Sequence, residues 1–443
     1  MSVRPIVIKF GGATLGREDR VRRTERLVQT TTGPLLIVVS AREGVTNRLK
    51  NAIDRASRNE TSPDLESFLK RFHPGIPDVL STNLRDLDQE LGRIRRARTA
   101  LPDVTDAILA RGERLSAHWY AHRLAEIGLP AVAVEADHLG LQTDGNHGAA
   151  VIQQSASQAN VRRGIASIFR RRSLPIVTGY IGRTIDGHTT TLGRGGSDYT
   201  ATSLGSIVGA ERTILVKTDV SLFTADPRIV RRAQPVARLS YEEAEELAQF
   251  GAKVLHPLTV EPARVRGMEV TVESLERPGL STTIGPEVKG HGIRAMTLLS
   301  PVALLHVRVP GGRQRKGVIA EVARILASAR VNVVTLFTSS ALLSIVVEAA
   351  MGKAARQAIT PFVVKDGLGA SLDGPRRSTL VTVIGEGVGA DIGRIPREIT
   401  EQTLGISGTT RTLSLAVPIA EGRKTLRELH RVLVEEPSHL SSR

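Results

Sequence analysis

Short, almost wholly apolar runs alternate with longer stretches of helical spacing over roughly the first 285 residues. "PIVIKF", "PLLIVVSA", "AVAVEA", "LPIVTGYI" and "RTILVKT" read as buried strands. Between them, "REDRVRRTERLVQTT", "LDQELGRIRRARTA" and "ERLSAHWYAHRLAEIG" carry apolar residues at helical intervals. The region from Asn51 to Ala100 is charged and mostly helical, an expected excursion over the sheet. Alternation of this kind predicts an α/β domain with helices on both faces of its sheet and its working loops beyond the carboxyl ends of the strands.

From Glu273 to Gly292 the chain concentrates Gly, Pro, Ser and Thr, which predicts a linker. Two smaller units of similar pattern follow. The first runs strand "VALLHVRV", helix "GVIAEVARILASAR", strands "VNVVTLF" and "LLSIVVEA", then a helix near "KAARQAITPFV". The second runs strand "TLVTVIGEG", helix "DIGRIPREITEQT", strand "TRTLSLAVPI" and helix "EGRKTLRELHRVLVEE". A βαββα logic used twice, with one strand of the second copy unclear, is a weak internal repeat. Neither copy holds a catalytic constellation, so binding or regulation is expected there. The predicted boundaries are 1–285, 286–370 for linker and first small domain, and 371–443.

Composition narrows the chemistry. Cysteine is absent, which removes disulfides, thiolate metal sites and thiol nucleophiles together. The formal charge is +15, yet aromatics are 3% and the arginines are scattered rather than striped, so a generally basic surface is expected and no nucleic-acid partner. No run approaches the roughly 18 apolar residues of a membrane span, and the N-terminus enters a strand without a signal-like segment. A soluble, cytoplasmic protein without a membrane partner is the expectation. Of 60 basic residues only 10 are lysines. Three of these, Lys9, Lys217 and Lys253, fall in "KFGG", "KTD" and "GAKVLHP", and a compact ammonium suits a single phosphate oxygen.

Two loops stand out. In "KFGGATLG" paired glycines let backbone N–H groups approach an anion, although Lys-x-Gly-Gly in isolation reads as a strand-to-helix turn. In "TTTLGRGGSDYTATSLGSIVGA", Ser197 or Asp198 is expected to cap the helix that follows, leaving its N-terminal amides to an anion. Arg194 can clamp a carboxylate and Asp198 can accept an ammonium, the pair an α-amino acid requires. No G-x-x-x-x-G-K-[ST] and no H-E-x-x-H occurs, and no metal ligand set is predicted from protein side chains. "GEGVG" at 385–389 reads as a turn, and His147 and His256 as structural.

Taken together, these segments resemble the aspartate kinases, of the amino-acid kinase fold with C-terminal, ferredoxin-like ACT domains. The matching stretches are "KFGG", "VVSA" with "GVTN", "GERLSA", "TDGNHG", "VTGYIG", "TTTLGRGGSDYTA", "KTDV" with "FTADPR", and "FGAKVLHP", in the family's order. The resemblance implies transfer of the ATP γ-phosphoryl group, with Mg²⁺, to the β-carboxylate of L-aspartate, giving 4-phospho-L-aspartate. Lys9, Gly11 and Gly12 would hold the transferring group and Lys253, beside Val254, would reach the phosphates from the other side. Ser40, Thr46, Glu113, Arg194, Gly195, Gly196, Ser197 and Asp198 match amino-acid-binding positions. Thr218, Asp219, Phe223 and Arg228 match nucleotide positions, with Lys9, Asp198 and Lys253 as the catalytic set. A homodimer through the ACT domains, and an amino-acid effector bound there, are also implied.

An ionised carboxylate, with an ordinary pKa of about 3.9, needs no general base. Alignment and cancellation of negative charge are what the site must supply. The chain departs from the family at Ala13-Thr14, at Arg42-Glu43, at Phe223 where tyrosine is usual, and in a "KTDVSLFTADPR" loop one residue short. Thr335 and Ala341 stand where lysine-inhibited relatives carry acids, so weak lysine inhibition is expected. A same-fold kinase for a modified amino acid and a catalytically weak ACT-based sensor stay open at this point.

Overall fold

The structure, a computed structural model, describes residues 4–218, 222–251, 255–286, 290–309, 317–339, 341–364 and 370–436. They divide into a first unit drawn from 1–222, 237–241 and 254–288, and a second drawn from 223–236, 242–253 and 289–443.

The first unit opens with β1 (Ile6–Phe10), α1 (Glu18–Thr30), β2 (Leu35–Val39), α2 (Val45–Ser57), α3 (Leu65–Phe72) and α4 (Pro77–Ala97). It continues with α5 (Pro102–Glu126), β3 (Ala131–Val134), α6 (Ala136–Leu139), α7 (Gln154–Arg170) and β4 (Leu174–Thr178). A two-stranded hairpin, β5 (Ile181–Arg183) and β6 (Thr189–Thr191), leads into α8 (Gly196–Val208) and β7 (Arg212–Lys217). β8 (Arg238–Ser240) follows, then α9 (Tyr241–Gln249), which apart from Tyr241 belongs to the second unit, and the first unit resumes with α10 (Pro257–Arg266), β9 (Glu269–Ser274) and β10 (Ser281–Gly285).

Eight strands form one sheet in the order β3-β4-β2-β1-β7-β9-β10-β8. From β3 to β9 every pairing is parallel. Strands buried on both faces read as continuous apolar runs, and β1 and β2 are buried at every position. Chain connections leave β1 toward β2 but β7 toward β9, so the order reverses between β1 and β7. A crevice at such a reversal, outside the strands' carboxyl ends, is where open α/β sheets bind ligands.

The 273–292 segment is not simply a linker. Ser281–Gly285 forms β10, antiparallel to β9, because Thr282 and Ile284 offer an alternating buried face that the surrounding Gly and Pro obscure in sequence. Helix α5 starts at Pro102, eleven residues before the predicted Glu113. Proline at its first turn costs no hydrogen bond, and Gly112 lets the helix pack where a Cβ would come within 2.7 Å of Ala41 Cβ.

The second unit contains β11 (Gly292–Arg308), α11 (Val318–Ser328), β12 (Val333–Thr338), β13 (Leu342–Glu348), α12 (Gly352–Val364) and β14 (Ser371–Glu386). A 3₁₀ turn at Val388–Arg394, α13 (Arg397–Gln402), β15 (Gly405–Gly408), β16 (Thr412–Pro418) and α14 (Gly422–His430) complete it. Its sheet runs β12-β13-β11-β14-β16-β15, antiparallel throughout. The two long strands are shared. Val302–Arg308 of β11 pairs with β13, while Met296–Leu299 pairs with Leu380–Val383 of β14, which pairs with β16. "IRAMTLLS" thus belongs with the second βαββ copy, and the unclear strand of that copy is β15, "GISG", whose glycines hide it. Within "GEGVG", Gly387 at φ +84° makes the turn from the end of β14 into the 3₁₀ segment.

Candidate active site

Lys9 projects from the central strand, and its ammonium lies 2.6 Å from Asp198 Oδ1. Lys217, the last residue of β7, reaches the other oxygen, Oδ2, at 2.5 Å. Asp198 stands in the first turn of α8, where a carboxylate is favoured by the helix dipole. Two ammoniums therefore share one buried carboxylate at the point where the sheet order reverses. Burial opposes ionisation of Asp198, but the two lysines outweigh it and hold its pKa at about 2. Burial lowers the pKa of Lys9, Asp198 pulls it back up, and Lys217 adds to the lowering. The net charge of the three groups is positive, so the cluster has charge left over for an anion.

The glycine turn after β1 is built around that ammonium. A Cβ on Gly11 would sit 3.5 Å from Lys9 Nζ, and one on Gly12 would sit 2.5 Å from the Ala41 carbonyl oxygen, so Gly12 admits no side chain. Thr14 is buried and its hydroxyl donates to Gly11 O at 2.7 Å, which closes the turn on itself. The turn is then tied to the loop after β2. Glu43 N–H donates to Gly12 O (3.1 Å), Ser40 N–H to Phe10 O (3.1 Å), and Arg42 Nε to Leu15 O (2.7 Å).

Arg42 does not line the crevice. It is 8% exposed, with its guanidinium carbon 3.8 Å from the Trp119 ring centroid and 5.4 Å from that of Phe72. Burial lowers its pKa to about 10. The departure at Arg42-Glu43 is therefore a fastening of two loops in which Arg42 supplies the side-chain bond and Glu43 a backbone one.

Glu113 faces the same loop from α5. One oxygen accepts the Ala41 N–H at 3.0 Å, and the other, Oε2, is buried without a partner. Burial pushes its pKa up to about 8, against the Ala41 N–H and the Lys9 charge. An orphaned, buried carboxyl oxygen is the feature a ligand's ammonium would satisfy. Thr46, half-buried, occupies the first turn of α2 behind the left-handed Gly44.

On the opposite wall, Gly195 rather than Ser197 or Asp198 is the N-cap of α8. Its φ of +74° suits glycine, and a Cβ there would come within 2.5 Å of His256 Cβ. With Gly196 as the first helical residue, Ser197 and Asp198 fall inside the first turn and are buried, while Arg194 is exposed. His256 is held below its ordinary pKa by burial and by the Arg194 charge, consistent with a structural role.

The nucleotide positions are distributed differently. Thr218 follows β7, and its carbonyl accepts from Glu276 N–H (2.9 Å) and Ser274 Oγ (3.2 Å). Phe223 and Arg228 fold with the second unit, where the exposed Arg228 pairs with Asp226 at 2.7 Å. Asp219, Lys253 and Val254 lie outside the described residues. Lys217 was absent from the predicted site set, although the scarcity of lysine had marked it.

Glu135, Asp137 and His138 approach one another closely enough to suggest a cation site. Arg114 already fills it, pairing with Glu135 at 2.7 Å and with Asp137. No helix among the described residues is long and apolar enough to cross a membrane.

A family model described as the amino acid kinase family matches residues 4–274. Among curated proteins, aspartokinase 1 of Arabidopsis thaliana is 30% identical over 77% of this chain and 63% of its own length. The chain spans 52–63% of the length of the three Arabidopsis aspartokinases it matches. The lysine-sensitive aspartokinase 3 of Escherichia coli is 27% identical over 97% of this chain and 99% of its own. The crystal structure of E. coli aspartokinase III with aspartate and ADP shares the fold, with a TM-score of 0.81, 24% identity, and coverage of 97% of this chain and 99% of that one.

Proposed function

The chain belongs to the amino acid kinase family, among the aspartokinases, and from that premise we propose that it transfers the γ-phosphoryl group of MgATP to the β-carboxylate of L-aspartate. The observation that carries the reading is the pair Lys9 and Lys217 on one carboxylate, Asp198, beside the Gly11-Gly12 turn.

In this reading the substrate carboxylate arrives ionised, and an oxygen of it forms a bond to the γ-phosphorus as the bond to the ADP oxygen breaks. Negative charge accumulates between two anions that repel one another. Lys9 and the Gly11 and Gly12 amides offset that charge from the β1 side, and Lys217 from β7. Asp198 aims both lysines and favours the charged form of the buried Lys9. Mg²⁺, bound with the nucleotide, would supply further cancellation of phosphate charge, and the reading requires no protein side chain to ligate it. Lys253, Val254, Thr218, Asp219, Phe223 and Arg228 are assigned to the nucleotide.

The amino acid is assigned to the other wall. Glu113, with one oxygen unpartnered, takes the α-ammonium together with Ser40 and Thr46. Arg194 takes the α-carboxylate, with Gly195, Gly196 and Ser197 around it. The second unit is assigned to two interleaved ACT domains, the C-terminal one completed by Met296–Leu299 of β11, that pair a homodimer and hold an effector other than lysine.

Release of ADP with aspartate, compared with glutamate and N-substituted aspartates, tests the assignment. Turnover with aspartate at least tenfold faster than with the analogues supports it, on the order expected when a buried polar partner is lost. Preference for an analogue refutes it.

A further inference from the structure

One buried carboxylate outside this machinery is unusually heavily engaged. Asp106, in the second turn of α5, is 1% exposed. Its Oδ2 accepts from His147 Nδ1 (2.7 Å), Gly148 N–H (3.1 Å) and Thr191 N–H (3.0 Å), and its Oδ1 from the Thr191 hydroxyl (2.5 Å). Four donors from two separate loops converge on one side chain.

The two loops are those beside the clamp. Thr191 ends β6, three residues before Arg194, and its carbonyl accepts the Ala150 N–H at 3.0 Å. Gly193 lies so close to the other loop that a Cβ there would come within 3.0 Å of Gly148 O. Asp106 and Glu113 are seven residues apart on one helix, two turns and roughly 10 Å along the same face. A single rigid helix thus carries both the carboxyl that pins the clamp loop and the carboxyl offered to the ammonium.

We propose that Asp106 is a positioning residue that fixes the distance between Arg194 and Glu113, and so sets affinity for the amino acid without touching it. The proposal rests on the functional reading above. Asp106→Asn keeps the volume but replaces the carboxylate by a neutral amide, whose NH₂ can only face the Thr191 hydroxyl while its oxygen takes the three N–H donors in weaker, uncharged bonds. The anchor of the clamp loop is then weakened while the lysine cluster on β1 and β7 is untouched.

The test combines steady-state kinetics with hydrogen exchange on the full chain. D106N is expected to raise the KM for aspartate by about tenfold or more, on the scale by which small misplacements cost catalysis, with the KM for ATP within about twofold. Exchange should rise in 144–152 and 188–196 and not in 6–16. Thr191→Val and His147→Ala, which remove donors and keep the carboxylate, should show the same split more weakly, and they carry the test if D106N does not fold. Equal rises in both KM values, or a lowered Tm with both unchanged, overturn the proposal. A parent protein that does not phosphorylate aspartate overturns the functional reading first, whereas an active parent with unchanged aspartate KM in D106N overturns the anchor alone.

Discussion

Lys9 Nζ and Asp198 Oδ1 lie 2.6 Å apart, with each side chain 7% exposed. Lys217 sits on the second oxygen, so removing one member of the cluster is not equivalent to removing another. Lys9→Met leaves Asp198 paired, and the expected result is a loss of phosphoryl transfer by roughly 10²–10³-fold with little change in stability. Asp198→Ala leaves two ammoniums facing each other, and stripping a buried partner costs on the order of 3–5 kcal/mol. Kinetics and denaturant melts of the two variants check this contrast.

Asp198 also gives the cluster an acid limit. Its folded pKa, at about 2, lies below its ordinary value of 3.8, so its stabilising contribution is fully present above that ordinary value and is lost as pH falls through about 2. Asp198→Asn should abolish this part of the acid dependence, which parallel acid titrations by circular dichroism would measure.

Glu113 behaves in the opposite sense. Its folded pKa is raised to about 8 from 4.5, so the folded state holds a proton that the unfolded chain has released, and its contribution to stability declines as pH rises between those values. An incoming ammonium favours the ionised form. The KM for aspartate should therefore fall as pH rises toward about 8, and Glu113→Gln should raise that KM and flatten its profile. A profile identical in parent and variant would contradict the assignment of the ammonium to Glu113.

Arg42 tests whether a departure from the family pattern alters substrate choice or only fastens loops. Its guanidinium is stacked on Trp119 and its Nε holds Leu15 O. Arg42→Ala should cost roughly 2 kcal/mol or more of stability, the scale of a desolvated cation–π contact. It should lower kcat through the loosened glycine turn and leave the ratio of aspartate to glutamate turnover unchanged. A shifted ratio would mean that the side chain acts on the substrate.

Lysine should be a poor inhibitor. Between Val309 and Val347 the only acid is Glu321, and it is already engaged by Arg324 at 2.5 Å. A small cleft in the first ACT copy is lined by Val309, Val318, Ile319, Thr338, Ala341, Leu342 and Leu343, none of them acidic. An ammonium buried there would lack a counter-charge. Strong inhibition at sub-millimolar lysine would contradict this.

Much of the first unit could be read from period and length, because its parallel strands are buried on both faces and so appear as unbroken apolar runs. β10 and β15 could not, since "STTIG" and "GISG" carry too few large apolar residues to be seen and owe their conformation to the neighbours they pair with. At the candidate site, lysine scarcity and paired glycines picked out segments that the structure brings together. The helix cap did not follow, because Ser197 and Asp198 are both good cap residues and only the backbone shows Gly195 turning left-handed before them. Asp106 was equally hidden, as an acid near the start of a helix looks like an ordinary solvated charge until its four donors from distant loops are in place.

The most direct test of the central claim is to incubate the full chain with MgATP and L-aspartate, trap any acyl phosphate with hydroxylamine, and identify the product by mass spectrometry. Formation of aspartyl β-hydroxamate that is lost in Lys9→Met is the predicted result. ATP turnover without that product, or undiminished product from Lys9→Met, would contradict the account.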